Sequence, residues 1–228
     1  RLIFGGTKMR ESFAKHVMEL NKDVVDMSEM VIKATTRSIK ALADSNIEEA
    51  GKIINDDLLI NNKRWQIEEN CINLIALQQP VATDLREIIA VLNIITELER
   101  MGDYAEGIAR IVIMLGGEPL LRPLIYMPKM AEKANSMLKM SMQALVNRDA
   151  KAANAIIAED DEVDKIYDAA YNDLLMRMIK EPNVISKATP LIWALHNLER
   201  IADRVTNICE RIIFLATGAM PQVKVSTY

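Results

Sequence analysis

Two stretches, 100 positions apart, limit what this chain can fold into: Glu97-Leu98-Glu99-Arg100-Met101-Gly102-Asp103 and Asn197-Leu198-Glu199-Arg200-Ile201-Ala202-Asp203. Each sits inside a long run in which apolar residues recur every three or four positions, the rhythm of a helix with one buried face. In the second run Leu198, Ile201, Val205 and Ile208 make that face, while Glu199, Asp203 and Asn207 follow one another in steps of four. A step of four turns a helix about 400° and climbs about 6 Å, so the three oxygen-bearing side chains form a stripe beside the apolar face. Glu99 and Asp103 repeat the spacing in the first half. Residues 50–57 and 153–160 also align, at an offset of 103, and beyond them Asp57 and Asn61 match Asp160 and Asp164. The chain is a duplicated unit.

The same periodicity predicts six helices: 10–42, 47–77, one opening at 81–84 and running to 115, then 128–146, 150–180 and 186–217. On the first, Phe13, Val17, Leu20, Val24, Met27, Met30 and Val31 point inward. On the second, the inward set is Ile53, Ile54, Ile60, Trp65, Ile67, Cys71, Ile72 and Ile75. Asp44-Ser45-Asn46 separates these two, and Ser45 or Asn46 supplies a cap oxygen for the next helix. Pro80 ends the second, because proline cannot continue the hydrogen-bond ladder. Gly116-Gly117-Glu118-Pro119, followed by Pro123 and Pro128, is the clearest break and marks the boundary between halves. Pro128 is acceptable in a first helical turn. Gly218 and Pro221 stop the last helix, and a tail follows from Gln222. Short turns make consecutive helices antiparallel. The expected fold is all-α: two tandem antiparallel three-helix bundles, spanning 9–118 and 124–220. Residues 1–8 read as a foreign or disordered lead-in before Met9.

Composition agrees. Half of the 228 residues are hydrophobic, aromatics are few, and only eight glycines and seven prolines occur, which suits helices better than sheet. A net charge of −4 without a long basic tract argues against a nucleic-acid partner. No uninterrupted run of about 18 apolar residues exists to cross a membrane. Cys71 and Cys209 make no disulfide framework and read as buried free thiols in a reducing cytoplasm.

Each half brings a pair on its second helix, Asp57/Asn61 and Asp160/Asp164, and a pair on its third, Glu99/Asp103 and Glu199/Asp203. Like charges four apart weaken a helix by a few tenths of a kcal/mol. Two readings stand: a solvated acidic face, or clusters of hard oxygen ligands for Mg, Ca, Mn or iron. Gly102 and Ala202, between the acids, admit a close neighbour or simply suit helix packing. A ferritin-type di-iron bundle uses Glu-x-x-His repeats. Here only His16 and His196 exist, and three positions before them stand Phe13 and Trp193. His196, one turn before Glu199, reads as a surface or core histidine or as a group within reach of the stripe. No nucleophile elbow, phosphate loop or dinucleotide fingerprint occurs, and nothing marks the chain as an enzyme.

Residues 77–86 (Leu-Gln-Gln-Pro-Val-Ala-Thr-Asp-Leu-Arg) and the two Glu-x-x-x-Asp segments, in this order, resemble the PhoU family, the phosphate-transport accessory regulators of bacteria. The resemblance spans about Phe13 to Gly218. It implies metal clusters, of Fe, Mn, Mg, Zn or Ca ions, on Asp57, Asn61, Glu99, Asp103, Asp160, Asp164, Glu199, Asp203 and Asn207. It also implies a cytoplasmic homodimer that links the cytoplasmic components of a phosphate ABC transporter to a sensor histidine kinase. Its role there is to damp phosphate uptake and the starvation response. Two other classes remain as alternatives: a metal-dependent hydrolase of phosphate compounds, and a purely structural scaffold. The family has Asn four residues after the motif Asp; Asn207 fits and Gly107 does not. With fewer ligands, the first site is expected to be the weaker, unless Glu97 or Glu106 substitutes.

Overall fold

The computed structural model describes residues 3–117, 121 and 125–219, with side chains from Phe13 onward. Six α-helices account for almost all of them: α1 Ile3–Asp44, α2 Ile47–Gln78, α3 Thr83–Met114, α4 Tyr126–Asn147, α5 Ala150–Lys180 and α6 Ile185–Thr217. A 3-10 turn, Pro182–Val184, leads into α6. The expected limits 118, 124 and 220, with Pro119, Pro123, Pro221 and the tail from Gln222, lie outside the described residues. Helix α1 begins at Ile3, so most of the supposed lead-in is helical backbone continuous with the first bundle.

The turns repeat as the sequence does. Asn46 accepts a hydrogen bond from the Glu49 amide at 2.9 Å, and Asp149, 103 positions on, accepts one from the Ala152 amide at 2.9 Å. Each satisfies one of the orphan donors of a helix N-terminus. The residues just before these caps, Ser45 and Arg148, both take left-handed backbone, as does Gln79 at the end of α2.

Within the first half α1, α2 and α3 pack on one another, and α4, α5 and α6 do the same in the second. The halves meet where α3 lies on α6 and α1 on α4, whereas α2 and α5 touch only helices of their own half. One continuous apolar core runs through both bundles, from Val24, Met27 and Ile67 to Met137, Leu198 and Ile208.

Trp65 and Ile72 are not in that core: they stand 59% and 57% exposed. Ile60, Ile67 and Leu74 hold α2 against its neighbours. Trp65 and Ile72 each come five residues after one of these anchors, which places them about 140° round the helix on the outer face. Hydrophobicity alone does not tell the two faces apart. The other expected inward residues of α1 and α2 are buried or half-buried.

The α3–α6 contact is antiparallel and two-fold in pattern. Near one end, Glu97 Oε2 accepts from Arg204 Nη1 and from Asn207 Nδ2, both at 3.2 Å. Ten residues along α3, a Cβ on Gly107 would stand 2.8 Å from Nδ2 of Asn197, so only glycine leaves that amide its place. Position 97 is the duplicate of 197, and 107 of 207. The two contacts are therefore one contact repeated, with Glu97 facing Asn207 and Gly107 facing Asn197. Removing the Glu97 carboxylate leaves Arg204, whose side chain is only 17% exposed, without its interhelical anion. We expect Glu97→Ala to lower the urea-unfolding free energy by about 1–3 kcal/mol, the usual cost of leaving a buried hydrogen-bond partner unsatisfied. Glu97→Gln, which still accepts from Asn207, should lose less. Equal losses in the two variants would argue that the charge at 97 is immaterial.

Candidate functional site

Because α2 packs on α3 and α5 on α6, the expected pairs are brought together in each half. In the first, Gly102 lets α2 approach closely: a Cβ there would lie 3.1 Å from Ile60 Cδ1 and 3.3 Å from Asp57 Oδ1. Asp57, Glu99 and Asp103 then act on one another across the helix pair. Burial, Glu106 and Glu99 raise the Asp57 carboxyl above the ordinary carboxylate range, although Asn61 Nδ2 donates to its Oδ2 at 2.8 Å. Asp103 is pushed to about 6 by desolvation and by Glu99, Asp57 and Glu106. Since Asp103 as a whole is exposed, the crowding of like charges is the firmer cause. Beside this cluster a pocket opens between α1 and α2, floored by Ile60 and Gly102 and walled by Asp57, Glu106, Lys33 and Arg37.

The second half is more crowded. Burial and then Asp164, Asp203, Glu199 and Asp161 push Asp160 up to about 7. Glu199 also rises to about 7, through burial and Asp203, against the pull of Arg200. Burial raises Asp203 despite the opposing Arg200 and Arg204, and Arg200 Nη1 donates to its Oδ2 at 3.2 Å. Asp164, at the exposed edge, is raised by burial and by Asp203, Asp161 and Asp168.

Three oxygens test the fit of a cation. Asp57 Oδ1, Asp160 Oδ1 and Glu199 Oε2 are shut off from solvent with no hydrogen-bond partner. A buried carboxylate oxygen without a donor costs free energy that a bound ion offsets. The donor set is carboxylate oxygen in both halves, joined by the Asn61 amide in the first, which fits hard ions. As they stand, no three Asp, Glu, His or Cys side chains among the described residues converge as a ready ligand set. That spread accords with carboxylates repelling one another.

Two side chains sit differently from the sequence pattern. Asn207 is committed to Glu97 across the interface between halves, not to α5. Each step of four drifts about 40° round the helix, and by Asn207 the drift has reached α3. Glu97 is tied up in the same contact and does not substitute in the first cluster. Glu106 does face Asp57, while Arg110 Nε donates to its Oε1 at 2.8 Å. Tyr167 went unnoticed in the sequence, where no spacing rule marks it. It stacks on Tyr171 with ring centroids 6.1 Å apart, and burial and Glu199 raise its phenol. Cys71 and Cys209 are buried and free, their thiols pushed up to about 12 by burial.

Carboxyls whose folded values lie above their unfolded ones bind protons more strongly in the folded state, so stability falls as pH rises from the ordinary carboxylate range through about 7. Chelator-treated protein should therefore melt at a lower temperature at pH 7.5 than at pH 5. Glu199→Gln should raise the pH 7.5 melting temperature and shrink that difference. A variant less stable than the parent at pH 7.5 would contradict the assignment of strain to Glu199.

A family model described as the PhoU domain matches twice, over residues 24–112 and 127–212. A phosphate-specific transport system accessory protein PhoU homolog of Rhizobium meliloti is 35% identical over 92% of this chain and 90% of its own. The protein so described in Clostridium acetobutylicum is 36% identical over 92% of this chain and 96% of its own. Among solved structures, the phosphate transport system regulatory protein PhoU of Streptococcus pneumoniae superposes with a TM-score of 0.86 at 31% identity, covering 92% of this chain and all of that one. PhoU of Pseudomonas aeruginosa gives 0.85 at 31% identity over 91% of this chain. No described helix is long and apolar enough to cross a membrane.

Proposed function

The chain belongs to the PhoU family, whose members are regulatory and accessory proteins rather than enzymes, and we propose that it acts as a metal-binding adaptor in phosphate homeostasis. In this reading it restrains phosphate uptake and the phosphate-starvation two-component response from the cytoplasm, as a homodimer. It contacts the cytoplasmic components of the phosphate ABC transporter and a sensor histidine kinase. The supporting observation is the double match over both bundles, together with relatives described as phosphate-specific transport system accessory proteins. The buried, partnerless oxygens of Asp57, Asp160 and Glu199 support the metal part. Asp57, Asn61, Glu99 and Asp103 would hold an ion in the first half, and Asp160, Asp164, Glu199 and Asp203 in the second. The bound cation would neutralise carboxylates that otherwise repel and so stiffen each helix pair. The second cluster has Asp164 where the first has Asn61, and the fourth carboxylate of the first, Glu106, is already held by Arg110; the second should therefore bind more tightly, because affinity follows ligand charge.

Replacing Glu99, Asp103, Glu199 and Asp203 together by Ala should abolish bound metal, measured by elemental analysis, with helical circular dichroism kept. In a host lacking its own copy, the parent chain should restore repression of phosphate-responsive genes at high phosphate. It should also co-purify with the transporter's cytoplasmic components or the kinase. Failure in both assays with folded protein present would favour a structural scaffold instead.

A further inference from the structure

We propose that His196 gives the second cluster a nitrogen ligand, so that the two halves take different classes of metal. The α5–α6 cluster selects a borderline transition ion of the Zn2+ or Co2+ kind. The all-oxygen α2–α3 cluster takes a hard ion of the Mg2+ or Mn2+ kind. The inference rests on the metal reading above and adds to it the chemistry of one site.

The geometry is local. His196 stands one turn before Glu199 on α6, with Nδ1 at 3.5 Å from Glu199 Oε2. That oxygen is the buried one with no hydrogen-bond partner. An ion of the Zn2+ kind taken up here would find both atoms within reach, since imidazole nitrogen and carboxylate oxygen are both among its ligands. Asp203, one turn further, acts electrostatically on the imidazole and faces the same side. The competitor is Arg200, whose Nε lies 3.7 Å from the same Glu199 oxygen and whose Nη1 reaches Asp203. Its side chain is already 32% exposed, and it can swing outward when an ion takes over the charge it balances.

The first half has no counterpart. Position 96, the duplicate of 196, is Thr96, whose hydroxyl donates to the Leu92 carbonyl at 3.0 Å and is engaged with its own helix. The side chains acting on Asp57 and Asp103 include no imidazole: they are Asn61, Glu99, Glu106, Arg100 and Arg110. Imidazole suits Zn, Cu, Fe and Ni, whereas carboxylate and carbonyl oxygens suit Mg, Ca and Mn. One histidine in one of two otherwise similar clusters is thus enough to split their preferences. The chain's second histidine provides a control, because His16 lines a pocket between α1 and the end of α2 with Glu19, Asp23 and Leu77.

The test is a titration of the full chain, stripped with chelator, with Co2+ and separately with Mn2+. Visible absorption and pulsed electron paramagnetic resonance then report nitrogen coordination. The parent should bind Co2+ at one nitrogen-coordinated site, and Zn2+ should displace it there first. His196→Gln should erase the nitrogen coupling and weaken Co2+ at that site by at least about tenfold, the lower range for losing a metal-site partner. Its Mn2+ affinity should change less than about twofold, and His16→Gln should match the parent throughout. Unchanged Co2+ binding in His196→Gln, with metal still bound, overturns this inference and leaves the metal reading standing. No binding of either ion to the parent overturns both.

Discussion

Everything in this molecule is positioned by the antiparallel contact of α3 on α6. Each of these helices is the third of its own bundle and is flanked by both of its bundle mates. Pairing them across the repeat joins two three-helix units into one core, with α1 on α4 as the second line of contact. It also decides which faces remain outward. The inward and interhelical sides of α3 and α6 are filled by apolar residues and by the Glu97–Arg204–Asn207 group. The remaining sides meet α2 and α5, and there the acidic stripes lie. The half-buried carboxylates of such a stripe have little access to water, although Asp103 and Asp164 at the edges keep theirs. That confinement is why Asp160 and Glu199 are driven to about 7.

Such confinement is costly without a counter-charge, and the protein uses its arginines unevenly to relieve it. Arg200 lies along Glu199 and Asp203 in the second half. In the first, Arg110 holds Glu106 at the edge of the cluster. Both are partial remedies, since neither guanidinium reaches the buried oxygens of Asp57 or Asp160. A small, strongly charged ion reaches where a long side chain does not, and electrostatics at close range favours the closer charge. This is the physical link between the packing of the bundles and the reading of their stripes as ligand sets.

The sequence carried most of this in its periodicities. Six helices, a cap at Ser45 or Asn46 (Asn46 is the one that caps), the duplication of the halves and the acids of each stripe all follow from spacing and turn chemistry. What it did not carry depends on rotation about a helix axis over several turns. Trp65 and Ile72 are apolar and yet point out, because the same helix offers a competing apolar set at Ile60, Ile67 and Leu74 that wins the inward face. Asn207 continues the stripe in sequence but not in space, because the slow drift of a four-residue repeat turns it toward Glu97. Spacing left Glu97 and Glu106 both open as substitutes in the first cluster, and only the packing of α2 on α3 shows that Glu106 is the one facing Asp57. Spacing along one helix fixes a direction only to within a few tens of degrees, and the neighbouring helix settles the rest.

The duplication explains why the two halves are alike in fold and unlike in detail. Positions 97 and 207 face each other, as do 107 and 197, and each end is matched in its own way: Glu97 with Asn207 and Arg204 at one, Asn197 with Gly107 at the other. Asn at 107 would collide with Asn197, and Gly at 207 would leave one donor fewer for Glu97. The contact is held together by compensation across the two-fold pattern and does not need to stay symmetric. Freed from symmetry there, the outward faces are free to differ too. Asn61 stands where Asp164 does, and Thr96 where His196 does. Two copies of one bundle thereby present two chemically distinct acidic clusters on one rigid core, an arrangement that two identical subunits related by exchange cannot offer.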